Sequence, residues 1–336
     1  MVKPYEIGVS PLGPSRSVKA AIRKAVREIN HSSRDAQNRF DRLLFSQYGI
    51  GPGNILLGNS LKELAYAVAQ ALRPGKALII GPAIELYRDA AVSAGVEVEV
   101  LLGGEEDGYM PGLSAVERKL GNAEVVFIAN PNRITGKAVD EGYLSRMCDS
   151  CSDSQHFVIV DETLIEFTRK RSFLERVGAA GNIIVLRTTA SYYGLAGLEL
   201  AFVASSEAVI SAVRKRIPGE PDILSLAAAR TAMKDKTFRR LTDTFMEHEK
   251  RLLQRSAGRL KDVSMYDSDS NVILFRGSAC MRDVARISGK AGLAAEMYEG
   301  PGGSERPLLR VSVMRHEHNL KLLRIMKQIC GEEHGS

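Results

Sequence analysis

The chain has 336 residues, 44% of them hydrophobic, which is enough for a large packed domain with a smaller companion. No run of about 18 apolar residues occurs, and the N-terminal Met1-Val-Lys-Pro-Tyr5 has no apolar signal core, so membrane-spanning and secretory readings fall away and the cytosol is the default compartment. The net charge of +6 comes from 46 basic and 40 acidic residues interspersed along the chain; the tightest cluster, Arg169-Lys-Arg171, reads as a solvated loop, and no nucleic-acid partner is expected.

After Pro14-Ser15, the apolar residues Val18, Ile22, Val26 and Ile29 recur at helical spacing and predict an amphipathic helix. From Ala77 onward, short runs rich in Val and Ile predict strands over 77–80, 96–101, 125–129, 157–160, 183–186 and 200–203. Helical periodicity fills several of the gaps, the signature of a largely parallel sheet covered by helices. Beyond Ser205 the pattern predicts helices over 207–215, 225–233, 238–260, 281–288 and 317–329, with strands over 272–275 and 309–313, as in a small α+β domain.

The four cysteines are too few and too irregularly placed for a disulfide framework, and Cys148 and Cys151 read as structural residues ending a helix that starts near Val139. The six histidines show no metal-ligating spacing, and His316-Glu-His318 reads as the start of an exposed helix, so no metal is expected.

Six segments carry a further signal. They are Ser10-Pro-Leu-Gly-Pro-Ser15, Asn54-Ile-Leu-Leu-Gly-Asn-Ser60, Ala129-Asn-Pro-Asn-Arg-Ile-Thr-Gly136, Val160-Asp-Glu-Thr-Leu-Ile-Glu-Phe167, Arg187-Thr-Thr-Ala-Ser-Tyr-Tyr-Gly-Leu-Ala-Gly-Leu-Glu199 and Leu309-Arg-Val-Ser-Val313. In order and spacing they resemble the fold-type-I pyridoxal-phosphate enzymes of class I/II, in the group of the histidinol-phosphate aminotransferases and threonine-phosphate decarboxylases. The resemblance implies a three-layer α/β/α large domain over 31–235 and a smaller α+β domain over 236–336. It also implies an N-terminal arm and helix over 1–30 that goes with the small domain, and a dimer.

In that family a lysine holds the cofactor as an imine and moves the substrate proton. The resemblance places Ser191 there, and a hydroxyl forms no imine and is a poor base at neutral pH. Where the family cradles the cofactor phosphate, this chain has Ser60-Leu61, Ala190 and Glu199. A carboxylate in place of a guanidinium exchanges attraction for repulsion, a swing approaching about 8 kcal/mol at ~4 Å and an effective dielectric near ~20. Arg133 and Leu164 stand where the ring oxygen is held, Ile84 where an aromatic residue stacks, and His31 or Ser32 where a tyrosine crosses the dimer. Asp161 matches the partner of the pyridine nitrogen, and Arg310 the arginine that grips a substrate carboxylate. Simpler roles compete: backbone capping for Asp161, an ion pair for Arg310, and turn or packing roles for Asn132 and Tyr87.

These departures lead to the expectation of a homologue without imine chemistry or bound pyridoxal phosphate, a non-catalytic regulatory or heterodimer subunit whose partner is a second copy or an active paralogue. One alternative is a repurposed enzyme or binder for a small anionic ligand, with a pocket of Tyr87, Asn132, Arg133, Asp161, Ser191, Glu199 and Arg310; there Arg133 and Glu199 could instead pair across the cofactor volume. Another is a pyridoxal-phosphate-dependent enzyme like its relatives, using free cofactor or another lysine, for which Lys137 and Lys62 are the candidates.

Overall fold

The computed structural model describes residues 5–153, 156–177, 181–299 and 307–331. Among these, seven strands form the large sheet: β1 (Ile55–Gly58), β2 (Lys76–Ile80), β3 (Glu97–Leu101), β4 (Val125–Ala129), β5 (Phe157–Asp161), β6 (Ile183–Thr188) and β7 (Ala201–Ala204). Their spatial order is β1-β7-β6-β5-β4-β2-β3, with β2 to β6 parallel and β7 antiparallel to both its neighbours.

The helices of this part are α1 (Arg16–Ala25), α2 (Arg34–Tyr48), α3 (Leu61–Leu72), α4 (Glu85–Ser93), α5 (Leu113–Leu120), α6 (Glu141–Asp153), α7 (Ala190–Tyr193), α8 (Glu207–Arg214) and α9 (Ile223–Lys234). They cover both faces of the sheet, which is why its strands are apolar throughout rather than alternating. On β5, Val158 and Val160 enter the core that holds Phe40, Leu44 and Tyr192, while Ile159 points to the opposite core with Leu64, Val68 and Ile184. Four further strands, β8 (Ser264–Met265), β9 (Val272–Arg276), β10 (Ala295–Tyr298) and β11 (Leu308–Ser312), make an antiparallel sheet in the order β10-β11-β9-β8. It shares a third core with α10 (Lys236–Ala257), α11 (Cys280–Lys290) and α12 (His316–Cys330).

The strands and helices expected from the sequence are present, most with ends shifted by one to three residues. Three strands escaped prediction because β1, β8 and β10 have four, two and four residues, too short for a periodicity to show. The N-terminal segment belongs to both halves. Tyr5 and Ile7 pack on the small-domain core, whereas Val18 is buried under the large sheet and α1 lies along α9. The first helix stops at Ala25 and tightens into a 3-10 turn over Val26–Glu28, which leaves Val26 and Ile29 exposed.

The absence of disulfides expected from cysteine number is corrected: Cys280 and Cys330 are bonded, because the packing of α11 on α12 brings together residues 50 apart in sequence. Cys148 and Cys151 are free and buried, and burial pushes both thiols up to about 12, which fits their structural reading. Among the described residues no helix is long and apolar enough to cross a membrane.

A buried ionic chain fastens the large sheet to α10. Arg187 on β6 pairs with Glu166 and lies 4.0 Å from Glu162, and Glu166 also pairs with Arg239 on α10. Burial alone would raise the Glu166 carboxyl, but the guanidinium groups of Arg187 and Arg239 hold it below its ordinary 4.5. A depressed folded-state value means that its contribution is complete above 4.5 and is lost as pH falls through the lower folded value. Glu166→Gln leaves the buried Arg187 short of a counter-charge and should cost about 3–5 kcal/mol at neutral pH. The gap to the unsubstituted protein should narrow below about pH 4.5, whereas equal denaturation midpoints at pH 7 would show that the chain contributes nothing.

Candidate functional site

Parallel strands present their carboxyl ends on one edge of the sheet, and loops there gather polar side chains from distant parts of the sequence. At this edge β5 ends on Asp161, which is 1% exposed. Asp161 Oδ1 accepts from the Thr163 N–H at 2.7 Å, so the capping role is real. Its other oxygen, Oδ2, accepts from the hydroxyl of Tyr87 and lies 3.9 Å from Arg133 Nη1.

Tyr87 reaches this point from the first turn of α4, with its ring stacked on Phe127 at a centroid separation of 5.5 Å. Burial, reinforced by the adjacent Asp161 carboxylate, pushes its phenol far above the usual range, so it stays a proton donor. Arg133 also donates to Thr163 Oγ1 at 3.1 Å. It is held there by the turn that Asn132 organises: Asn132 Oδ1 accepts from Ile134 N and Thr135 N at 2.9 and 3.1 Å, and its amide donates to Pro82 O at 2.7 Å.

Glu199 differs most from expectation. It does not pair with Arg133, and it does not leave an anion site with the wrong charge exposed. Its Oε1 accepts from the Leu61 N–H at 3.1 Å, the first residue of α3, and from Thr188 Oγ1 at 3.0 Å. A helix amino terminus attracts negative charge. The carboxylate therefore occupies the electrostatic position that an external phosphate would take. Ser60 caps the same helix by accepting from Glu63 N at 3.1 Å.

Ser191 sits on the short α7, is 5% exposed, and its carbonyl accepts from Ser10 N at 2.8 Å. That contact explains why the Ser10-Pro-Leu-Gly segment runs past this site. Gly194, at φ +65°, ends α7, and a side chain there would meet Gly13 Cα at 2.7 Å. Ala190 and Leu164 are buried. Neither candidate lysine replaces residue 191. Lys137 pairs with Asp267 and, at 3.3 Å, with Asp269, while Lys62 lies over the Tyr66 ring. His31 and Ser32 are both exposed.

Arg310 comes to the same edge from β11, where it faces Glu296 directly across the β10–β11 pair and forms an ion pair with it. Its Nη1 also approaches Arg133 O at 3.5 Å. Burial, together with the nearby positive charge of Arg133, lowers its affinity for its proton. Among the described residues its buried Nε has no hydrogen-bond partner, and neither has the hydroxyl of Tyr298 two residues beyond Glu296. Thr163, Glu296 and Tyr298 were missed from the sequence, the last two because the four residues of β10 are too few for an alternation to show.

These residues fit pyridoxal phosphate in part. Asp161 is the buried carboxylate that the resemblance matches to the partner of a pyridine nitrogen. Ser191 offers no amine for an imine, and Glu199 occupies the α3 amino terminus, where the resemblance places the cofactor phosphate. Glu199→Gln removes the competing charge, and the affinity for pyridoxal phosphate, or for inorganic phosphate as a probe, should rise at least about tenfold in calorimetry. An unchanged affinity would show that α3 is not where the anion is received.

The description of the class I and II aminotransferases matches residues 8–324. A histidinol-phosphate aminotransferase of Thermococcus gammatolerans is 29% identical over 288 residues, covering 85% of this chain and 79% of that one. A threonine-phosphate decarboxylase of Salmonella typhimurium is 24% identical over 332 residues, covering 97% and 90%. The solved histidinol-phosphate aminotransferase of Sinorhizobium meliloti superposes with a TM-score of 0.84 at 18% identity, covering 97% of this chain and 89% of that one, and was determined in complex with pyridoxal-5'-phosphate. This finding corrects the expectation of a chain without cofactor: members of the family bind pyridoxal phosphate, and nothing found here shows that this chain has lost it. By the extent of the match and the agreement of fold, the chain belongs to the class I and II aminotransferase family.

Proposed function

We propose that this chain is an enzyme of the aminotransferase and decarboxylase group, acting on a small amine or amino acid that carries an anionic group. The supporting observation is a pair of buried donors without a partner among the described residues, Arg310 Nε, whose guanidinium reaches Arg133 O, and the hydroxyl of Tyr298, which neighbours Arg310. Buried donors are normally satisfied, and an acidic ligand group would satisfy these. Glu296, about half exposed, is a counter-ion that such a ligand could displace. The names of the relatives point to phosphorylated amino acids or amino alcohols as the substrate class. Pyridoxal phosphate, when bound, supplies an aldehyde and an electron-withdrawing ring. Here Asp161 would orient that ring, Tyr87 would hold a proton at the Asp161 carboxylate, and Arg310 with Tyr298 would seat the substrate's anionic group.

A second reading, assembly as a homodimer or with an active relative and without turnover, is supported by Ser191 and by Glu199 on α3. Exposed Val26, Ile29 and Phe45 would supply apolar surface for the association.

The test is incubation of the protein and pyridoxal phosphate with L-histidinol phosphate and 2-oxoglutarate, or with O-phospho-L-threonine, followed by mass spectrometry of products and calorimetry of binding. Product should form from one of the two. Arg310→Ala should weaken binding of the active compound tenfold or more, since a hydrogen bond to a charged group contributes about 1.5–3 kcal/mol. Neither binding nor turnover with either compound rejects this function.

A further inference from the structure

His248 and Glu249 are consecutive on α10, and His316 is the first residue of α12, packed beside it. His316 Nδ1 lies 2.9 Å from Glu249 Oε1, and His248 Nε2 lies 4.0 Å from the same oxygen. One donor atom from each of the three falls within 4.8 Å of the other two. Nothing in the chemistry of the site at Asp161 uses these residues.

Glu249 is 1% exposed, and among the described residues its ion pairs are with the two histidines alone. A buried carboxylate without a guanidinium or ammonium partner is costly. Its second oxygen is fixed from behind: Oε2 accepts from Asn319 Nδ2 at 2.8 Å. Asn319 is itself fully buried and locked to Met314, with its amide donating to Met314 O at 2.7 Å and its oxygen accepting from Met314 N at 3.0 Å. The carboxylate is thereby aimed with Oε1 toward the two imidazoles, the arrangement in which an outer partner orients a ligand. Both imidazoles are exposed, with side-chain accessibilities of 71% and 54%, so a cation has a route in from solvent.

Two imidazoles and one carboxylate are a donor set suited to divalent zinc, with ligand distances of about 2.0–2.2 Å. The His248 ring is exposed, and ligation would require it to turn toward the Glu249 oxygen. We propose that His248, Glu249 and His316 form a binding site for a zinc-class divalent cation, three protein ligands with a fourth position open to solvent, which clamps α10 to α12.

The experiment uses tag-free, full-length protein, stripped with chelator and titrated with zinc sulfate in a calorimeter, with thermal denaturation followed in parallel. One equivalent should bind and raise the melting temperature. The double variant His248→Asn, His316→Asn changes only exposed side chains; it should melt like the metal-free protein and lose at least about tenfold in zinc affinity. Glu249→Gln should weaken zinc binding as well, and the double variant decides the matter should that buried change impair folding. Magnesium at millimolar concentration should not displace the zinc. The proposal is overturned if no zinc binds at micromolar concentration, if the double variant binds one equivalent with unchanged affinity, or if magnesium competes on equal terms.

Discussion

The architecture of the site turns on two adjacent carboxylates at the end of the central strand. Asp161 closes β5 and Glu162 follows it, each 1% exposed, and their different partners draw them to opposite sides of the strand end. A buried carboxylate must be paired or hydrogen-bonded. Glu162 is met on its side by Ser172, by the Phe173 N–H at 2.6 Å and by Arg187, and through Arg187 and Glu166 the small domain's α10 is tied in. Asp161 is met by Tyr87, Thr163 and Arg133, and through Arg133 the edge extends to Arg310 on the second sheet. One strand end thus organises both the junction between the sheets and the floor of the site.

Substitution at the cofactor-contacting positions is concerted in physical terms. Reversing the charge at residue 199 would be costly if the side chain faced an empty anion cradle. Folded onto the Leu61 N–H, the carboxylate instead completes the amino terminus of α3 from within the protein. The Thr188 hydroxyl donates to the same oxygen and accepts from the Ala190 N–H, which ties the carboxylate to the start of α7. An anion arriving at the α3 amino terminus would compete with Glu199 for these donors. That competition reconciles membership of a cofactor-binding family with a site whose polar groups are largely satisfied internally.

Much of the fold was legible in the chain. The parallel strands are continuous apolar runs because helices cover both sides, and their ends fall within a few residues of expectation. β10 was not legible, since four residues of mixed polarity carry no distinctive period, and with it went Glu296 and Tyr298. At the site, the motifs singled out Asp161, Arg133 and Arg310, and the structure links them in succession through Arg133. The partners of Glu199 were not, because the closing contact joins residues 138 positions apart through a backbone N–H that no side-chain pattern announces.

The amino-acid order alone determined the layered architecture and the chemical fact that position 191 carries no amine, for these depend on local periodicity and on which functional groups exist. Only the tertiary structure decided where each charge is neutralised: Glu199 on α3, Arg133 on Asp161 and Thr163, and Glu249 between two histidines, one its neighbour and the other 67 residues away. The reason is that electrostatic pairing acts through distances of a few ångströms in space, and chain separation says nothing of those distances until the helices have packed.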